Sequence, residues 1–240
     1  MADPERAPDL PIGAPVPGWS PRPRPPRAPV EGRYARLEPL DPAAHGAAIH
    51  AANAVDPGGM WRYMPYGPFV TPADWTHWAE PMATSADPQF FAIVERATGQ
   101  AAGVAAYLAI VPEQGTIEVG HIALAPRLQR TPAATEAMFL MMRTVFELGY
   151  RRYEWKCDSL NAPSRAAAQR LGFSYEGIFR QHRVVKGHNR DTAWYAMTDT
   201  DWPALRAAFE RWLDPDNFDG TGHQRERLSD LTAPILVARG

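Results

Sequence analysis

The chain has 240 residues, enough for one large domain or two small ones, and 45% are apolar, 10% aromatic and 22% charged, so a sizeable core can be buried. A net charge of −2 and a pI near 6.4 exclude a whole-chain electrostatic attraction to nucleic acid or anionic lipid. The single cysteine, Cys157, excludes an intrachain disulfide; with Asp3 and Glu5 in an N-terminus that has no apolar run, and no apolar stretch longer than Ala101–Val111, it leads us to expect a cytoplasmic protein.

Residues 1–29 are proline-rich, most densely at Pro21-Arg22-Pro23-Arg24-Pro25-Pro26-Arg27, a composition that favours an extended polyproline arm without a core of its own. The arm is expected to drape over the domain or to be disordered, with docking to a partner or dimer mate as the alternative. From Val30 the pattern becomes globular. Arg33–Leu40 alternates as a strand. Asp41-Pro42 supplies a cap and a first-turn proline for a helix to about Ala54. Val55–Val70 is turn-rich and aromatic. Thr71-Pro72-Ala73-Asp74 opens a second helix with Trp75, Trp78, Ala79 and Met82 on one face.

Three strands follow, Gln89–Glu95, Ala101–Val111 and Thr116–Leu124, divided by turn residues as in a meander. A long helix is expected over Pro132–Leu148, stopped by Gly149. A strand over Arg151–Cys157 and a helix over Asn161–Leu171 come next. Phe173–Val185 and Asp191–Thr200 form a hairpin around Lys186–Arg190, and Trp202–Leu213 is a terminal helix. Residues 214–240 are weakly patterned and are left unassigned. The order β-α-α-β-β-β-α-β-α-β-β implies an α+β fold in three layers, a mixed central sheet flanked by helices, over residues 30–213.

Two passages carry the chemistry. In the first, from Leu124 to Glu136, a strand ends, a loop turns and a long helix begins. The first amides of that helix have no internal partner and the macrodipole makes them an anion site, to which Arg130 and the hydroxyls of Thr131 and Thr135 add charge and donors. In the second, Asn161-Ala162-Pro163-Ser164 starts a helix that ends at Leu171-Gly172-Phe173; capping by Asn161 and termination by Gly172 explain those residues structurally.

Together these passages resemble the GNAT superfamily of acyl-CoA-dependent N-acyltransferases, and the resemblance covers most of residues 30–213. The run Leu171-Gly172-Phe173-Ser174-Tyr175-Glu176-Gly177 looks like the RimJ/RimL branch, which acetylates protein N-termini and other amines. The resemblance implies acetyl-CoA as co-substrate, or another acyl-CoA such as succinyl-CoA, with no metal. It also implies direct transfer to an amine, either a protein N-terminus or a small molecule. It places the pyrophosphate at Gln129, Arg130, Thr131, Ala133, Ala134 and Thr135, and the pantetheine arm beside Asn161 and Ser164. Backbone groups at Ile122, Ala123 and Leu124 would meet the thioester end, with the amides near Ile122 stabilising its oxyanion. Three positions depart from the family pattern: Pro132 stands where its loop has glycine, Ala168 where many members have a tyrosine, and Arg183 where the RimL-like branch has a catalytic glutamate.

An amine must lose its proton before it attacks. Glu118 on the strand Thr116–Leu124 is the first candidate base, since other branches carry a glutamate on this strand; its bland reading is an outward-facing strand residue. His121, three residues on, is expected on the opposite face and is the reserve base. Ser164 is the candidate proton donor to the departing thiolate. Trp61, Tyr63 and Tyr66 lie in the region that covers the acceptor in the family, and either select the acceptor or anchor the loop to the core. Cys157 reads as a core residue, and His45 and His50, five apart, are poorly placed to share a metal. A non-catalytic module that binds CoA or a peptide is the rival class. A homodimer is the ordinary prior for the oligomeric state.

Overall fold

A computed structural model describes residues 11–56 and 58–240. Its strands are β1 (Val30–Glu31), β2 (Ala35–Pro39), β3 (Gln89–Glu95), β4 (Ala101–Val111), β5 (Thr116–Leu124), β6 (Arg152–Asp158), β7 (Ser174–Val185) and β8 (His188–Thr198). Its helices are α1 (Pro42–Asn53), α2 (Pro72–Thr84), α3 (Pro132–Glu147), α4 (Ala162–Arg170), α5 (Trp202–Leu213) and α6 (Leu228–Thr232). The strands form one sheet in the order β1-β2-β3-β4-β5-β6-β8-β7. Every neighbouring pair is antiparallel except β5 and β6, which run parallel across the α3 crossover.

Local chemistry sets the helix starts. Asp41 Oδ1 accepts from the amides of Ala43 and Ala44 ahead of α1. Thr71 and Asp74 form a reciprocal capping box at α2. The side chains of Thr131 and Asn161 accept from Ala134 N and Ser164 N at α3 and α4. Two apolar layers sandwich the sheet. On one face Ile49, Trp61, Trp75 and Ala79 pack on Phe90, Ala92, Val104 and Ala106. On the other, α3 and α5 bury Met138, Leu140, Met141, Phe209 and Trp212 with Leu37, Phe91, Tyr107, Ile117, Tyr153 and Tyr195. The buried Glu136 of α3 is satisfied by three amides at the entry to β2: Arg33 (2.9 Å), Tyr34 (2.5 Å) and Ala35 (2.7 Å). A Cβ at Gly32 would lie 2.4 Å from a Glu136 oxygen, so that entry requires glycine.

Three regions differ from the sequence reading or complete it. The last hairpin turns on Lys186-Gly187 alone, with φ of +49° and +79°, so β8 begins at His188 rather than Asp191 and ends at Thr198. The left-handed pair suits a two-residue turn. The unassigned tail is ordered: Phe218 bridges Gln224, α6 buries Leu228, and Ala238 O accepts from Tyr175 N at 3.1 Å. Of the arm, residues 19–27 lie against the domain: Trp19 Nε1 donates to Glu113 O (2.9 Å) and Gln89 Nε2 to Pro25 O (3.1 Å). Residues 1–10 lie outside the described part. No helix among the described residues is long and apolar enough to cross a membrane.

Candidate active site

β5 and β6 pair only from Thr116 with Arg152 to Val119 with Trp155, so beyond that register the two strands diverge. On the other side of β5, the two residues after Val104 match three after Gly120, and His121 sits in the middle at φ +52°. This is a bulge, one extra residue that bends the strand away from its neighbour. Ala125 N donates to Ala102 O of β4 at 2.9 Å. Backbone alternation then turns the amides of Ile122 and Leu124 the other way, into the opening. Ala123, by the same alternation, faces β4, with which it pairs at Val104.

The bulge also corrects the expected parity. Ile117 and Val119 lie in the core beneath α3, so Glu118 faces the opposite side. His121 should then have shared the α3 side, but its ring stacks on Tyr66 at 5.6 Å and 8° and packs on Phe90 at 5.1 Å. Glu118 and His121 therefore share one face of the sheet.

Glu118 is 8% exposed. Its Oε2 accepts from Lys156 Nζ at 2.8 Å, and the same ammonium lies 2.7 Å from Glu154 Oε2 and 4.0 Å from the Trp194 ring centroid. Burial raises the Glu118 carboxyl above its ordinary value, with Lys156 opposing the shift. Burial likewise pushes His121 down to about 4, with Arg183 adding to it, so the imidazole is neutral near pH 7. Its Nδ1 is 3.1 Å from Tyr66 Oη.

Where β5 leads into α3, the phosphate-binding candidates divide. The amides of Arg130, Thr131 and Ala133 have no partner among the described residues, and Arg130 holds φ +62°. The amide of Ala134 is taken by Thr131 Oγ1 (3.1 Å), and Thr135 N bonds Thr131 O (3.3 Å). The Thr135 hydroxyl is buried and accepts from Arg170 Nη2 at 3.1 Å. Gln129 Nε2 folds back onto Leu124 O at 2.9 Å. Pro132 occupies the first helical position, where it removes one donor. Residues with open amides thus flank it on both sides.

At the far lip of the opening, Ser164 Oγ accepts from Trp155 Nε1 at 3.0 Å, and burial raises the pKa of the nearby Cys157 thiol. Asn161 Oδ1 holds Ser164 N at 3.2 Å, so its side chain is engaged as the α4 cap. Ala168 is fully buried.

The loop from Gly58 to Val70 covers the near side. Trp61, Tyr66 and Phe69 pack together and onto Trp78. Tyr63 Oη donates to Leu160 O at 3.1 Å, tying the loop to the β6–α4 connection. A residue the sequence reading passed over does more: Lys186, at the tip of the β7–β8 hairpin, donates to Trp61 O (2.9 Å), Tyr66 O (3.2 Å) and Gly67 O (2.8 Å). Lys156 was missed as well. Only its same-face spacing with Glu154, two residues before it on β6, hinted at an ion pair with a neighbouring strand.

A family model described as an acetyltransferase (GNAT) domain matches residues 35–174. The chain is similar to a GCN5-related N-acetyltransferase from Brucella melitensis, at 48% identity and TM-score 0.89, covering 91% of this chain and all of that one. It is also similar to a probable acetyltransferase of the GNAT family from Chromobacterium violaceum, at 41% identity and TM-score 0.76, covering 83% of this chain and all of that one. A RimL ribosomal-protein α-N-acetyltransferase solved with coenzyme A shares the fold at 21% identity and TM-score 0.60, over 70% of this chain and 96% of that one. No curated protein matches the sequence.

Proposed function

The chain belongs to the GNAT acetyltransferase family, and from that premise we propose that it moves an acetyl group from acetyl-CoA to a primary amine by direct attack, with Glu118 as the base. The observation that carries this reading is the coincidence of the β5–β6 opening, the bulge at His121 and the buried Glu118 on one strand. The donor set fits coenzyme A. The amides of Arg130, Thr131 and Ala133 suit a diphosphate at the start of α3, and the diverging strand edges suit an extended pantetheine chain that takes the place of a neighbouring strand.

Acetyl-CoA supplies the activated thioester; the chain's own groups do the rest. The Ile122 amide donates to the thioester oxygen as charge develops there. The Glu118 carboxylate takes the proton of the incoming ammonium, directly or through water, and its raised pKa makes it a stronger base than an exposed glutamate. The Ser164 hydroxyl protonates the leaving thiolate, a role supported by its position on the lip of the opening. His121, neutral and bonded to Tyr66, orders the wall rather than acting as the base. Tyr66, Tyr63 and Trp61 shape the acceptor's approach.

The RimL neighbour acts on a ribosomal protein, so a protein N-terminus is the alternative acceptor. Succinyl-CoA is the alternative donor, with Arg183 as the basic residue that would meet its carboxylate. Thermal unfolding with acetyl-CoA, followed by thiol release across an amine panel, tests the reading. At 100 times Kd the ligand adds about 2.7 kcal/mol of stability. A shift without thiol release would favour the non-catalytic module, and no shift would remove the CoA site.

A further inference from the structure

β7 and β8 place Arg183 and Arg190 directly opposite one another. Like charges in that relation destabilise a sheet, so the pair needs an explanation. Ala193, Tyr195 and Met197 of β8 lie in the core beneath α3, so alternation puts Arg190, Thr192 and Trp194 on the opposite face, with Glu118 and Lys156.

Two other cations on this face, Arg152 and Lys156, are matched by carboxylates. Arg152 bonds Glu154 (2.6 Å) and Glu176 (2.5 Å), and Lys156 bonds Glu118 and Glu154. Those pairs occupy the nearby glutamates. Among the described residues neither Arg183 nor Arg190 has a carboxylate within salt-bridge distance. The one side-chain bond of Arg190 is from Nε to Thr192 Oγ1 at 3.2 Å. Asp158 acts on Arg190 only at longer range, while burial and Arg183 act against its charge. The pair is also close to the chemistry. Arg183 acts electrostatically on both Glu118 and His121, and Glu118 acts on Arg190. Beside the pair, Phe179 packs on Trp194 at 4.5 Å with the rings tilted by 36° and is 53% exposed, an apolar floor left open.

We propose that Arg183 and Arg190 together bind an anionic group of the acceptor, a carboxylate or a phosphate, so that the preferred substrate is an amine that also carries a negative charge. This rests on the acetyl-transfer reading above and names its substrate class. Two guanidinium forks side by side offer the parallel N–H donors that a carboxylate or phosphate accepts, and the bound anion removes the repulsion between them. The sheet order puts β8 and β7 two and three strands from β5, or about 10 and 14 Å between backbones at ordinary strand spacing. That distance suits an acceptor lying across β6 with its amine at Glu118, better than the short acyl group of a donor held at the β5 bulge.

The test measures initial rates with acetyl-CoA for phenylalanine, glutamate and phosphoethanolamine against phenylalaninamide, glutamate diamide and 2-phenylethylamine, using wild type, Arg183→Gln and Arg190→Gln. A parallel arm uses succinyl-CoA with the neutral amines. The expected result is a preference for anionic acceptors that each substitution reduces by roughly 10- to 100-fold in kcat/KM, the loss of a charge-assisted hydrogen bond, with acetyl-CoA binding unchanged. Carboxylate and phosphate members of the panel separate the two anion chemistries. Both variants should melt at or above the wild-type temperature, because a like-charge pair is relieved. Equal use of neutral amines, no turnover of any anionic amine, or an effect confined to succinyl-CoA overturns the proposal. A protein that shows no thermal shift with acetyl-CoA overturns the reading beneath it instead.

Discussion

Replacing Lys156 by methionine tests whether the Glu118 carboxylate gates transfer. Lys156 Nζ lies 2.8 Å from Glu118 and 2.7 Å from Glu154. Burial raises the Glu118 pKa, and Lys156 is the main influence holding it down. A hydrogen bond to a charged group contributes about 1.5–3 kcal/mol. Losing the ammonium should therefore raise the Glu118 pKa further. The base works deprotonated, so kcat/KM rises with pH through that pKa, and in the variant the rising limb moves to higher pH. Glu154→Gln acts in the opposite sense. Glu154 faces Glu118 across the β5–β6 register and its charge raises the Glu118 pKa, so removing it moves the limb down. The assay is thiol release from acetyl-CoA across pH 5 to 9, with a CoA-induced thermal shift confirming that each variant is folded. A limb at the wild-type position in both variants would refute the assignment of the titrating group.

Three further outcomes follow from the geometry. His121 is held near 4 when folded and titrates near 6.5 when unfolded, so the unfolded chain binds the extra proton; its contribution is full above pH 6.5 and is lost toward pH 4, a difference of about 3 kcal/mol. Urea unfolding of wild type and His121→Gln checks this, and equal loss of stability on acidification in both would contradict it. Lys186→Met frees three carbonyls of the aromatic loop and should raise the acceptor KM roughly tenfold, the scale of one lost charged hydrogen bond, with acetyl-CoA affinity unaltered. Thr131→Ala removes the α3 cap and should lower stability by about 1 kcal/mol, read as a fall of roughly 2–4 °C in Tm for a chain of this size.

Much of the fold was legible because its signals are local. The Thr71–Asp74 box and Asn161 cap helices through their own side chains, and β3, β4 and β5 fall on the strand-like segments that turn residues set apart. The position of His121 was not legible. Parity along a strand fails at a bulge, and the extra residue is fixed by register with β4, which sequence spacing does not carry. The clamp by Lys186 spans 120 residues to Tyr66 and depends on where a hairpin tip lands. The tail escaped for another reason: few apolar residues hold it, and Asn217 bonds Trp212 O and Glu226 O where a core would otherwise do so. Glu118 was legible as a candidate from its strand, but its partner Lys156 became visible only once β5 and β6 were side by side.

Single-turnover transfer from acetyl-CoA to a saturating amine, compared between wild type and Glu118→Gln, bears most directly on the central claim. The substitution leaves the amides of Arg130, Thr131 and Ala133, proposed for the diphosphate, in place, so acetyl-CoA should bind as before while the transfer step slows by about 100- to 10,000-fold, the ordinary contribution of a general base. Unchanged transfer in Glu118→Gln would contradict the account.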